Sequence, residues 1–220
     1  MHGLDEPVRR YLTHALGGRD IGPTHVRLTM VGRIKVGRWL AFTGEQEFTG
    51  HAFTWRARCG WRHFKPLWVV DSYSDAGAST EGKLFGRLRF MHAGGADTAR
   101  AAAGRAAAES IWMPGMLAPE RVVSWRAESD EVIVASLDVA PEHPDVRLRI
   151  DASGAVSSVS LMRWGNVGQE DFGYIPFGGD IHAERRFGTL LLPSEVTIGW
   201  WYGTPRYQPF FEASILDAAF

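Results

Sequence analysis

From Thr24 onward the chain alternates apolar and polar residues with a period of two, and only one segment, Asp97–Trp112, breaks strongly for a helix. Period two sends successive side chains to opposite faces of a strand, so a chain written this way must build sheet and then bury one of its faces. Val26, Leu28 and Met30 alternate with Arg27 and Thr29, and Arg33 to Val36 continue the pattern. Further strand-like runs span 41–49, 52–59, 67–74 and 81–92, punctuated by Gly44, Gly50, Gly60 and Gly77. After the helix come 122–126, 131–139, 146–150, 155–164, 180–187, 195–202 and 207–215, with Asp151–Gly154 as a hairpin-turn signal and 166–179 as a glycine- and aromatic-rich loop. A short amphipathic helix over Pro7–Leu16 precedes them, with Val8, Tyr11, Leu12 and Ala15 on one face and Gly17-Gly18 as its stop.

Roughly ten antiparallel strands and one principal helix predict an α+β fold, mostly antiparallel β. A sheet that wide must curl, so the expected form is a large curved sheet or half-barrel with the helix packed in its concave face. No linker-like run divides the chain, and residues 1–220 are expected to form one domain. The helix has Asp97 as a candidate N-cap, seven alanines from Ala99 to Ala108, and Pro114 beyond its end.

Composition narrows the function. With 24 basic and 25 acidic residues the net charge is −1, and the arginines form no block of like charge along the sequence. Nothing here recruits nucleic acid or an anionic membrane through a long-range field. No run approaches the ~20 apolar residues of a bilayer span, and the start, MHGLDEPVRRYL, holds no signal-like apolar core. A cytoplasmic protein without stable membrane insertion is the expectation. Cys59 is the only cysteine, so no disulfide within the chain can form. The histidines show no H-x-H or H-x-x-x-H spacing, and there is no P-loop, dinucleotide fingerprint or nucleophile elbow. No metal and no cofactor is expected.

What remains is a pocket chemistry. Arg105 and Glu109 lie one helical turn apart, with Trp112 on the same stripe. They are either a docking ion pair or an arginine beside a carboxylate whose pKa an apolar wall would raise into the range of general acid–base work. Asp71 shares a strand face with Val69 and Tyr73, and its natural partners are Arg56 and Arg163, beside Trp55 and Trp164. It reads as a buried brace or as a second carboxylate facing Glu109. The candidate catalytic residues are thus Glu109 and Asp71. The candidate substrate-binding residues are Arg105, Arg56, Arg163, Trp112, Trp55, Tyr73, Met113, Trp164, Tyr174 and Trp200. Core packing is the competing role for each aromatic and for Met113.

In order along the chain, PVRRYL, FTWRAR, VVDSYSDAG, RAAAESIWMP, VVSWRA, RIDASGAV, Pro176-Phe177-Gly178 and LLPSEVTIGWWYG resemble a bacterial domain-of-unknown-function family. That resemblance implies an architecture like the lipoprotein-carrier half-barrel, hence an apolar cavity under a helical plug. Where the family carries bulkier residues this chain has Ala106, Ala107 and Ala108, which implies a larger cavity. Two functions follow as expectations. One is a cofactor-independent acid–base enzyme of the cyclase or isomerase type on a small hydrophobic molecule. The other is a non-catalytic carrier or sensor of a lipid-like or polycyclic ligand.

Overall fold

The computed structural model describes residues 3–19 and 22–220. Helix α1 (Glu6–Ala15) comes first, and six strands follow: β1 (His25–Val36), β2 (Arg38–Thr49), β3 (Ala52–Trp61), β4 (Phe64–Ser74), β5 (Gly77–Leu84) and β6 (Leu88–Gly94). Helix α2 (Ala96–Ala108) runs into two short 3-10 turns, Glu109–Trp112 and Pro114–Leu117. Seven strands complete the chain: β7 (Ser124–Ser129), β8 (Val132–Ser136), β9 (Asp145–Ile150), β10 (Val156–Gly165), β11 (Gly173–Phe187), β12 (Leu190–Trp200) and β13 (Gln208–Ala219). All thirteen strands join one antiparallel sheet in the order β6-β5-β4-β3-β2-β1-β13-β12-β11-β10-β9-β8-β7. The fold is the expected α+β half-barrel, a curved open sheet with one helix packed on it.

Alternation is visible in the strands themselves. In β9 (DVRLRI), Val146, Leu148 and Ile150 are buried while Asp145, Arg147 and Arg149 are exposed. In β2, Leu40, Phe42, Gly44, Gln46 and Phe48 face inward. Register then sets a row across the concave face: Leu28 pairs with Gln46, Gln46 with Trp55, Trp55 with Asp71 and Asp71 with Thr80. Polar side chains thereby line up across neighbouring strands inside an otherwise apolar surface.

Helix α1 buries Val8, Tyr11, Leu12 and Ala15, and Asp5 just before it accepts a 2.9 Å bond from the Ala127 amide on β7. Helix α2 buries its small face, Ala102, Ala103, Gly104, Ala106, Ala107 and Ala108, which lets it come close to β10 on one side and β4 to β6 on the other. The expected single helix to Trp112 instead tightens at Glu109. Gly95 rather than Asp97 sits at the N-cap, and the Asp97 carboxylate accepts a 2.8 Å bond from the Trp164 indole.

Two boundaries differ from the reading of the sequence. The expected strand over 81–92 is two strands, because Phe85, Gly86 and Arg87 turn the chain back and Gly86 takes a φ of 70°. The expected loop over 166–179 is loop only to Phe172. Gly178 and Gly179 lie in β11, where the carbonyls of Val159 and Thr197 stand 2.2 and 1.9 Å from the place a Cβ would occupy. Glycine here serves close strand approach, not turning.

Candidate functional site

Arg105 descends from α2 onto the polar row of the sheet. Its Nη1 donates to Asp71 Oδ2, its Nε donates to Glu109 Oε1 at 2.8 Å, and its Nη2 donates to Gln46 Oε1 at 3.4 Å. Gln46 Nε2 donates in turn to Glu109 Oε2 at 2.7 Å, and Thr80 Oγ1 to Asp71 Oδ1 at 2.7 Å. The guanidinium also lies 4.6 Å from the centroid of Phe53 and 5.6 Å from that of Trp55. Burial works against this cation, but the Glu109 and Asp71 carboxylates outweigh it and hold the Arg105 pKa above its ordinary value. Taking a charge out of water is costly, and two carboxylates with further hydrogen bonds offset that cost for Arg105.

Arg163, on β10, is placed differently. Its Nε donates to the Ala101 carbonyl of α2 at 2.8 Å, and its guanidinium lies 4.4 Å from the ring centroid of Phe177 and 4.8 Å from that of Trp200. Among the described residues no carboxylate comes within ion-pair distance of it. Burial, reinforced by the like charge of Arg105, pushes its pKa down to about 10. The four formal charges of Arg105, Arg163, Asp71 and Glu109 cancel, yet only three of the groups are bonded together.

These residues form the polar end of a cavity of about 240 Å³ between α2 and the concave face. Its apolar wall includes Trp55, Ile111, Trp112, Phe177 and Phe211, and Ala108 stands where a larger side chain would take space. Trp112 is itself fixed by a 3.0 Å bond from its indole N–H to the Pro193 carbonyl on β12. Val36, Phe90 and Met91 line the cavity and are also solvent-exposed, so they mark its mouth.

The sequence candidates therefore divide. Glu109, Asp71, Arg105, Arg163, Trp55 and Trp112 meet at the cavity. Trp200 lies against Arg163 and Phe177. Arg56 faces the opposite, solvent side, because strand alternation gives the concave side to its neighbours Trp55 and Ala57. The expected Asp71 partners, Arg56 and Arg163, are replaced by Arg105. Tyr73 and Met113 are buried in the core, Tyr73 donating its hydroxyl proton to the Ala140 carbonyl. Trp164 and Tyr174 join a separate cluster: Arg100 lies 3.4 Å from the Trp164 centroid, its Nη2 donates to the Tyr174 hydroxyl at 3.0 Å, and that hydroxyl donates to Glu142 at 2.6 Å. Arg100 also pairs with Glu142, so this cluster ties the first half of α2 to the segment before β9.

Gln46 and Thr80 are site residues the sequence reading missed. A signal existed for Gln46: it is the only polar residue at the inward positions of β2 from Leu40 to Phe48. Among the described residues no group of His, Cys, Asp and Glu is arranged to hold a metal ion, and no helix is long and apolar enough to cross a membrane.

An open antiparallel half-barrel, helix in its concave face and apolar cavity between them, is the class of protein that these elements define. The chain belongs to the DUF6920 family, a family of unknown function, which matches residues 2–220. It is also similar to a DUF1329 family protein from Desulfovibrio piger, solved by crystallography, at 7% sequence identity and a TM-score of 0.49, over 98% of this chain and 94% of that one. No curated protein matches the chain.

Proposed function

We propose that the protein binds a small, mainly apolar molecule carrying one carboxylate, without acting on it. The observation that carries this reading is Arg163, a cation on the wall of an apolar cavity with no carboxylate partner among the described residues. A carboxylate entering the cavity would supply that partner, and an apolar body would replace water along the Trp55, Ile111 and Trp112 wall. The cavity volume is below the ~300 Å³ at which drug-sized pockets begin, which suits a medium-chain fatty acid.

The acid–base alternative asks for a carboxylate free to exchange a proton with a bound molecule. Asp71 and Glu109 are the acids on the cavity wall, and each is already bonded to Arg105 and to one further side chain. Their arrangement supports a brace that holds α2 on the sheet.

The test is calorimetric titration with decanoate, its methyl ester and decane-1-ol, against the wild type and Arg163→Met. Tight decanoate binding, at least about tenfold weaker for the ester and for the variant, is the expected result. Equal affinity for all probes, or no effect of the variant, would remove Arg163 from recognition.

A further inference from the structure

The turns β1–β2, β3–β4 and β5–β6 join six strands that follow one another in the sheet, so they emerge side by side from one end of it. Contacts make them one surface. The Arg38 guanidinium lies 4.6 Å from the ring centroid of Trp61, linking the first turn to the second. Phe64 and Phe85 have ring centroids 6.2 Å apart, and the Phe85 amide donates to the Pro66 carbonyl at 2.8 Å, linking the second to the third.

The composition of this surface is unusual in two respects. First, it exposes large apolar side chains at successive tips: Val36 (50%), Trp61 (44%), Phe64 (59%), Phe85 (58%) and Leu88 (67%). Such a contiguous apolar group on a soluble surface marks an interaction site. Phe85 is held there at a φ of 51°, in the left-handed region that a bulky residue seldom occupies. The hairpin turn imposes that conformation, with Gly86 also at positive φ and the Arg87 amide donating to the Leu84 carbonyl at 3.1 Å, and it leaves the Phe85 ring exposed at the tip. Second, residues 33–38, 58–68 and 83–89 contain nine Lys and Arg and no Asp or Glu, in a chain of net charge −1. Glu212 pairs with Arg33, and Glu81 with Lys83 and Arg89. Lys35, Arg38, Arg58, Arg62, Lys65 and Arg87 have no carboxylate partner among the described residues, and all but Lys65 are exposed.

We infer that these three turns form a docking surface for an anionic lipid bilayer, on which the protein sits peripherally. Aromatic and aliphatic tips enter the headgroup layer while a ring of unpaired Lys and Arg meets acidic headgroups, the pairing of forces by which interfacial proteins bind membranes. A protein partner could cover apolar tips, but the absence of acid from all three segments matches a surface that is negative everywhere it is touched. Val36 belongs both to this surface and to the cavity mouth, so a docked molecule would open its cavity towards the lipid. The inference stands on the surface alone and does not need the cavity to hold a ligand.

The experiment is co-sedimentation of the full chain with phosphatidylcholine vesicles, with and without phosphatidylserine, together with tryptophan quenching by brominated lipid. Expected are binding only when phosphatidylserine is present, weakening with salt, and quenching of Trp61 emission that Trp61→Phe removes. Phe64→Glu/Leu88→Glu and Arg62→Glu/Lys65→Glu/Arg87→Glu should each lower vesicle partition at least about tenfold. Met162→Glu, exposed elsewhere, should leave it unchanged. Circular dichroism and urea midpoints confirm that each variant is folded. Arg163→Met should bind vesicles as the wild type does, which separates this inference from the ligand proposal. No partition into acidic vesicles, or partition unaffected by the tip variants, would overturn it. So would a concentration-dependent dimer abolished by Phe64→Glu/Leu88→Glu, because the apolar tips would then be covered by a second copy.

Discussion

Gly104 of α2 lies against the stem of Arg163 so closely that a Cβ added to it would stand 2.9 Å from the arginine Cγ. Helix and sheet therefore approach to the limit that glycine permits, and the same contact sets where the guanidinium points. In an exposed helix Gly→Ala gains about 1 kcal/mol. Here the added methyl must displace Arg163 from its place above Phe177 and Trp200. Gly104→Ala should bring no net gain in urea stability, while decanoate affinity falls severalfold. A variant stabilised by the full helix-propensity gain with unchanged affinity would show that the contact does not position the arginine.

Asp71 and Glu109 share Arg105 and so should behave as one unit. Asp71→Asn and Glu109→Gln each leave Arg105 with one carboxylate, and each should cost about 1–3 kcal/mol. Their double-mutant cycle should deviate from additivity by at least about 0.5 kcal/mol, since both act through the same guanidinium. Independent effects in urea unfolding would mean that the shared arginine does not couple them.

Trp112 combines a cavity wall with a hydrogen bond to Pro193. Trp112→Phe keeps most of the apolar surface and loses the bond, at a cost of about 1 kcal/mol. Trp112→Ala should cost about 3–5 kcal/mol and also weaken decanoate binding. Loss of stability with unchanged affinity would assign the indole to the core alone.

Alkaline pH gives a further test. Burial pushes the Cys59 thiol from 9.0 up to about 11, and the Tyr73 phenol from 10.0 up to about 12. Both shifts are upward, so the folded state favours the neutral forms. Their contribution is complete below the unfolded values and is lost as pH rises through the folded ones. The urea midpoint should be level with respect to these groups up to about pH 9 and fall between there and about pH 12. Cys59→Ala should remove the lower part of that fall, and an unchanged profile would contradict the thiol's assignment.

The parts of this molecule that were legible are those governed by neighbours along the chain. Alternation in β2 and β9 and the alanine content of α2 lead directly to strands and helix. Arg105 and Glu109 are a legible pair because helical geometry fixes their spacing. The partner of Asp71 was not legible, because strand alternation places it on a face and says nothing of what crosses from α2. Gln46 was missed for the same reason: its two partners are 59 and 63 residues away. The basic surface escaped because its charges come in three short segments, each unremarkable until the turns are set side by side.

Helix α2 leaves one edge strand, β6, two residues before it begins, and its 3-10 turns lead on to the other edge strand, β7. It is therefore a strap joining the two free margins of the sheet, and the span of that strap governs how far the margins stand apart. Adding or removing a turn within it would widen or narrow the whole enclosure without altering any residue of the wall. Ligand size and ligand chemistry can in this way vary separately among descendants of one scaffold, the first through segment length and the second through side chains such as Arg163.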